Sequence, residues 1–400
     1  MQVVYEDGMK VPLKIWAEME TLESKALTQA KNVASLPFVV GHAALMGDGH
    51  VGYGSPIGMV AGLDGYVCPN FVGKDIGCGV CAIRLSIREI TINQLKEVLG
   101  QIRKCIPIGM RHHAEKQDIS LMPPLPAESV PIVEREYESA RKQIMSPGSG
   151  NHFLTLQRGD DGYIWILLHS GSRNLGSQVA DHYNKVAISL NAKYFSSVPE
   201  EWELAFLPVD SEEGQVYLRE MQYCIDFALA NRIMLVSKML SICNDVAGAE
   251  YDPNGIINIA HNYAAMEHHF GRNVLVHRKG ATPARVGQIG IVPGSQGTAS
   301  YIVKGRGNRE SLMSCSHGAG RSMGRNHAVE TLNLEAEKKR LDEKGIIHTI
   351  RKVEDLEEAV SAYKDIEVVM RLQADLVDIV VRLEPLAVIM AEKEKKRTRR

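Results

Sequence analysis

The sequence predicts an α+β fold: a single large compact domain of short, mixed β-strands and helices. Three observations carry this. Helical and strand-like segments are interleaved, but the strand-like runs are short and glycine-rich, which does not suit regular βαβ winding. No linker, repeat or low-complexity stretch divides residues 1–391. The polar motifs fall at strand ends or in glycine-rich turns, where binding residues concentrate.

Taken in order, Leu13 to Ala34 has the apolar period of an amphipathic helix. Phe38 to Leu45 reads as a buried strand, followed by a glycine-rich turn over residues 46–54, and Met59–Ala61 and Val80–Leu85 as short strands. Thr91 is placed to cap a helix running to Ile106. Residues 119–131 contain Pro123, Pro124, Pro126 and Pro131 and must be a loop, before a helix over Val133–Met145. Phe153–Leu156 and Tyr163–Leu168 are strand-like, and Leu175–Phe195 and Gly214–Val246 helical, the latter with room for one break. Short strands are expected at Ile256–Ile259, Asn273–Val276 and Ala299–Val303. Helices are expected over Asn326–Gly345 and Val353–Leu383, with a last strand at Pro385–Met390. Residues 392–400 form a basic tail, expected to be frayed and solvated.

Composition narrows the class. A net charge of −2 announces no global affinity for nucleic acid, so any such partner must be held by a local patch. Residues 1–10 lack an apolar signal core, and no apolar run approaches the ~20 residues of a membrane span. Seven cysteines without framework spacing suit a reducing cytoplasmic setting.

The chemistry starts at Val72–Cys81, where Asp75 and Cys78 stand three residues apart between glycines in an otherwise apolar run. Glycine lets the backbone bend until a carboxylate and a thiol converge, and a metal is the natural occupant. Three histidines recur in similar contexts: His152 after a glycine turn, His169 at the end of a very apolar strand, and His261 after a short apolar run. Alone, each reads as a hydrogen-bonded strand-end residue; together with Asp75 and Cys78 they suffice for two divalent ions if the thiolate is shared. Zn, Fe, Co and Mn all accept such a mixed set. Cys78 and Cys81 also form a CxxC pair, but no second pair follows and Cys81 begins a strand, which argues against a redox or zinc-ribbon role.

A second group follows. His317 lies among small residues with Arg321 and Arg325 four apart, suiting a nucleophile beside phosphates. Ser295 to Ser300 is a glycine and hydroxyl loop suited to a nucleotide, and His277-Arg278-Lys279 adds local positive charge. No GKS or GKT follows the loop, so a P-loop is excluded.

The runs GKDIGCG, GNHF, HSGSR, AHNYA, HRKGA, PGSQGTASY and SHGAGR, in that order, resemble the RtcB family of RNA ligases across essentially the whole chain. The resemblance implies a GTP- and Mn-dependent enzyme joining RNA 2′,3′-cyclic phosphate or 3′-phosphate ends to 5′-hydroxyl ends, in RNA repair or tRNA splicing. It implies two Mn ions bridged by Cys78, one completed by Asp75 and His152, the other by His169 and His261. His317 would take GMP; Asn151, Phe153, Ser295, Ser300, Ala319 and Gly320 would line the nucleotide pocket. Arg173, Lys279, Arg321 and Arg325 would face phosphates. Two positions depart from the family pattern. Thr155 stands where members carry a glutamate to guanine, and Met390 where they carry a lysine. Both changes fall on base recognition. A metal-dependent RNA-end phosphoesterase that does not ligate, and a non-catalytic RNA-end sensor, are the alternatives.

Overall fold

Two sheets frame the molecule. The computed structural model describes residues 1–391. One sheet has six strands in the spatial order Gln2–Val4, Leu13–Ile15, Val39–His50, Ile57–Leu63, Arg272–Lys279 and Asn262–His269. The other has seven: Ile257–Ala260, Gly79–Arg84, Ile164–Ser170, Phe153–Gly159, Val377–Met390, Ser300–Gly305 and Ile289–Val292. Neighbours pair antiparallel, except that Leu13–Ile15 runs parallel to Val39–His50. With helices packed outside, this is the α+β architecture expected.

One face of the seven-stranded sheet packs on helices, and the apolar residues of the other close on one another within the sheet. Side chains alternate across a strand, and here Cys81 and Ile83 join one core cluster while Val80 and Ala82 join another. The first cluster packs the sheet on helices Ile92–Cys105 and Glu212–Ala247. Each fully buried Leu or Ile there contributes roughly 1.5–3 kcal/mol. Helix Ile92–Cys105 starts where expected: the Thr91 side chain accepts from Gln94 N, and the Gln94 side chain accepts from Thr91 N. Helix Glu212–Ala247 is unbroken; Ser211 caps its start and Gly248, at φ +63°, ends it. Among the described residues no helix is long and apolar enough to cross a membrane.

Four assignments from sequence change. Leu13–Ile15 is a strand, and the helix begins only at Ser24, because Leu13 and Ile15 bury alternately against Ala43–Leu45. The stretch read as a turn after Leu45 continues as strand to His50, with Asp48 fully buried. The long helix expected over Val353–Leu383 is 3-10 turns, a short helix Ile366–Leu372, and the fourteen-residue strand Val377–Met390. That strand lies between two partners, where Val and Ile pack better than in a helix; Pro385 is tolerated at a register shift. The helix expected over Asn326–Gly345 breaks into Arg325–Thr331 and Leu334–Glu343, with Asn333 capping the second. Asn262–His269 is a strand that sequence reading missed. The basic tail lies outside the described residues.

Candidate metal centre and nucleotide cavity

Register in the seven-stranded sheet brings the proposed ligands to one edge. Gly79 pairs with both Ala260 and Ser170, and His169 pairs with both Val80 and Phe153. Cys78, His169, His261 and His152 therefore stand at the same end of four adjacent strands. His261 N donates to Cys78 O at 2.8 Å, tying two of them by backbone. Two glycines are obligatory: a Cβ on Gly79 would meet Ile259 O at 2.0 Å, and one on Gly171 would meet Asp75 Oδ1 at 2.2 Å.

The donor atoms form a continuous row. Asp75 Oδ2 lies 3.0 Å from His152 Nε2, which lies 3.3 Å from Cys78 Sγ. Cys78 Sγ is 3.1 Å from His169 Nε2, itself 3.3 Å from His261 Nε2. Cys78, His152 and His169 alone present three ligand atoms within 4.8 Å of one another. Burial drives His169 and His261 well below the ordinary imidazole range, leaving neutral rings able to donate lone pairs. Burial would raise Asp75, but the His152 hydrogen bond and charge outweigh it and hold the carboxyl at about 2. Burial and then the Asp75 charge push the Cys78 thiol well up. Such a thiol stays protonated until a divalent cation binds the sulfur and displaces the proton to solvent. Neutral imidazoles, an ionised carboxylate and a metal-dependent thiolate, buried together, fit a bound metal. Cys81, by contrast, faces the sheet core, and burial pushes its thiol up to about 12. It takes no part in the row.

Helix Glu212–Ala247 holds the row from behind. Fully buried Arg232 donates through Nη1 to Gly77 O and Ser170 O and through Nε to Asn258 Oδ1. Asn231 Nδ2 donates to Ser170 Oγ and Gly171 O.

His317 faces this row from the strand Ser314–Ser316, its ring 4.7 Å from that of His261. Buried Asp48 accepts at Oδ2 from His317 Nδ1 at 2.6 Å, from His317 N at 3.0 Å and from Gly318 N at 3.2 Å. Burial opposes ionisation of Asp48, yet the His317 charge and hydrogen bond keep its carboxyl below the usual range. The proton is thereby held on Nδ1, and among the described residues no protein group bonds Nε2. Asp48 was read as part of a turn; the signal was a carboxylate flanked by glycines.

One cavity of about 520 Å³ takes in Asp75, Cys78, His169, His261 and His317. Asn151 and Phe153 line it from one strand end, Ser295 and Ser300 from the glycine loop, and Ala319 and Gly320 from beyond His317. His152 reaches the row through Nε2 without lining the cavity. Met390 pairs with Phe153 and lines the same wall as Thr155 and Gln157. Thr155 Oγ1 donates to Leu167 O, and Gln157 Nε2 to Thr155 Oγ1 and Ser300 Oγ.

The four cations expected at phosphates separate. Arg321 and Arg325 line the cavity, but both pair with buried Glu358, and Arg321 also donates to Glu357 O and Met323 O. Lys279 lies outside the lining and donates to Tyr53, Ser55 and Asn70 carbonyls; burial lowers it to about 7. Its ammonium is committed to backbone rather than offered to an anion. Arg173 sits behind His152, donating to Ser146 Oγ and Gly109 O.

Comparison with known proteins places the chain in a family. The family model described as tRNA-splicing ligase RtcB matches residues 29–391. The chain is 32% identical to the RNA-splicing ligase RtcB of Escherichia coli K12, with 94% of this chain and 97% of that one aligned. It is 31% identical to the tRNA-splicing ligase RtcB of Thermococcus kodakarensis, covering 96% and 95%. It is 32% identical to the RNA-splicing ligase RtcB of Mycobacterium bovis, covering 90% and 99%. With residues 29–391 matched by the family model and relatives above 30% identity aligned over nine-tenths of its length, this chain belongs to the RtcB family.

Proposed function

We propose that this chain is a GTP- and Mn-dependent RNA ligase that joins 2′,3′-cyclic phosphate or 3′-phosphate ends to 5′-hydroxyl ends. One observation carries the reading: His317, held by Asp48, shares a cavity with the Cys78–His169–His261 donors. Asp75, Cys78 and His152 would hold one Mn ion, and Cys78, His169 and His261 the other. Bound there, the metals supply charge neutralisation for phosphate oxygens. Everything else falls to the chain. Asp48 fixes the ring so that His317 Nε2 presents its lone pair to the α-phosphorus of GTP. A P–N bond forms as the bond to pyrophosphate breaks, the two in line. Water opens a cyclic end to the 3′-phosphate, whose oxygen takes GMP from His317, and the 5′-hydroxyl oxygen then displaces GMP. Ser295, Ser300 and Asn151, which line the cavity, would orient the nucleotide, and Arg325, half exposed, would meet a phosphate.

The wall of Thr155, Gln157 and Met390 offers a base only neutral groups, so discrimination between GTP and ATP rests on neutral hydrogen bonds. The test incubates protein with Mn and labelled GTP or ATP. An acid-labile adduct should form on the wild type and be absent from His317→Ala. Equal labelling of the alanine variant would overturn the assignment.

A further inference from the structure

With a net charge of −2, RNA must be gripped by a local patch, and one lies beside the metal centre. A shallow groove of about 610 Å³ is lined by Arg103, Lys104, Cys105, Arg111, His112 and His113, with apolar neighbours and no carboxylate. Arg103, Lys104, Arg111 and His112 are exposed. Among the described residues no acid pairs with Arg103, Lys104 or Arg111, whereas nearby Lys116 and Arg141 are both neutralised by Glu138. Arg103 and Lys104 end helix Ile92–Cys105, where cations suit the helix dipole. That accounts for two charges but not for Arg111 and the two imidazoles, which line the same groove from the following loop.

The loop is wired to the ligand row. His113 N donates to Lys142 O, and His113 Nε2 lies 3.3 Å from Met145 O, so it packs on the segment leading into His152. Gly109 O accepts from Arg173 Nη2 at 3.4 Å. A Cβ on Gly148 would stand 1.9 Å from Arg173 Nη1 and 2.7 Å from His152 Nδ1, so both side chains close on the space left by the missing Gly148 side chain. Arg173 thus links the loop that carries the groove, through Gly109 O, to the Gly148 turn beside His152.

We propose that this groove receives the phosphodiester backbone of the RNA strand whose end reacts at the metal centre; the inference rests on the RNA-joining reading above. Unpaired Arg and Lys meet phosphates, while the imidazoles and the exposed Met110 offer surfaces for unstacked bases. An acidic protein segment would need the same charges, but the link through Arg173 to the turn beside His152 favours the substrate.

The test is fluorescence anisotropy with a labelled single-stranded RNA of about twenty nucleotides bearing a 3′-phosphate. Wild type is compared with Arg103→Gln/Lys104→Gln/Arg111→Gln and with Lys10→Gln/Lys25→Gln/Lys193→Gln, which removes the same charge from exposed positions elsewhere. The groove variant should bind roughly 10-fold more weakly or worse, and its log K against log salt slope should fall by about 2, at ~0.7 per contact. The control should keep the wild-type slope, and both should form the His317 adduct and melt as wild type does. If the groove variant folds less well, Lys104→Gln alone should still lower the slope by about 0.7. A groove variant with the wild-type slope, as a protein-docking patch would give, or a control that weakens equally, overturns the proposal. Wild type that binds RNA but never labels at His317 would instead overturn the ligase reading, with the groove still judged by anisotropy.

Discussion

His317 and Asp48 show how much one carboxylate can decide. Nothing in the residues around His317 states which ring nitrogen is free; Asp48, 269 positions away in sequence, settles it by accepting from Nδ1 at 2.6 Å. The amide oxygen of Asn can still accept from Nδ1 and the two backbone N–H groups that meet at Oδ2, but without a charge it no longer stabilises the positive charge that builds on the ring as Nε2 bonds phosphorus. Asp48→Asn should therefore cut the rate of adduct formation by about 10²–10⁴-fold while leaving the fold intact, as read by single-turnover labelling. A variant that labels at the wild-type rate would remove Asp48 from the mechanism.

At the scale of elements, the hairpin Asn262–His269 with Arg272–Lys279 joins the six-stranded sheet to the site, because it begins next to His261 and ends beside Gly280. It is locked by Glu267, which pairs with fully buried Arg278 at 2.6 Å, with Arg285 at 2.8 Å and with His269 at 3.1 Å. Burial opposes the Glu267 charge, but these partners win and pull the carboxyl from an ordinary 4.5 to about 2. A depressed carboxyl contributes stability that is present above its unfolded value and lost as pH falls through its folded one. The protein should accordingly lose stability between about pH 4.5 and 2, in part through this group. Glu267→Gln should cost about 3–5 kcal/mol at neutral pH, by leaving Arg278 buried with its charge uncompensated, and should flatten that part of the acid profile. Denaturant melts of both proteins across the window measure it; identical profiles would assign the acid sensitivity elsewhere.

At the scale of the molecule, the row from Asp75 to His261 assembles only when four strands, a helix and two loops are in place. A ligand set that exists in the folded state alone stabilises that state on binding, by RT ln(1 + [L]/Kd). Adding Mn to metal-stripped protein should raise its Tm, by an amount that grows with Mn concentration. Cys78→Ser should shrink that shift, because Sγ stands between the two halves of the row, while Cys81→Ser, whose thiol faces the sheet core, should keep it. Equal shifts in both variants would exclude the shared thiolate.

The sequence by itself determined the α+β class, the residues with the chemistry and their order, because glycine-flanked strand ends and Gly/Ser loops are local patterns. Only the tertiary structure decided which of those residues meet. Strand register put His169 beside both Val80 and Phe153, within reach of Cys78 Sγ, and no local pattern encodes register between strands some ninety positions apart. The same holds for Val377 to Leu383, which reads as helix in sequence but extends the strand expected at Pro385–Met390, because two flanking strands pair with its backbone. Lys279 and Arg321 look like phosphate ligands in the sequence, yet backbone carbonyls and Glu358 claim them, since buried cations must take whatever acceptors the fold brings. Asp75 and Cys78 needed no such help, being three residues apart on one glycine-rich turn; their histidines had to be carried to them.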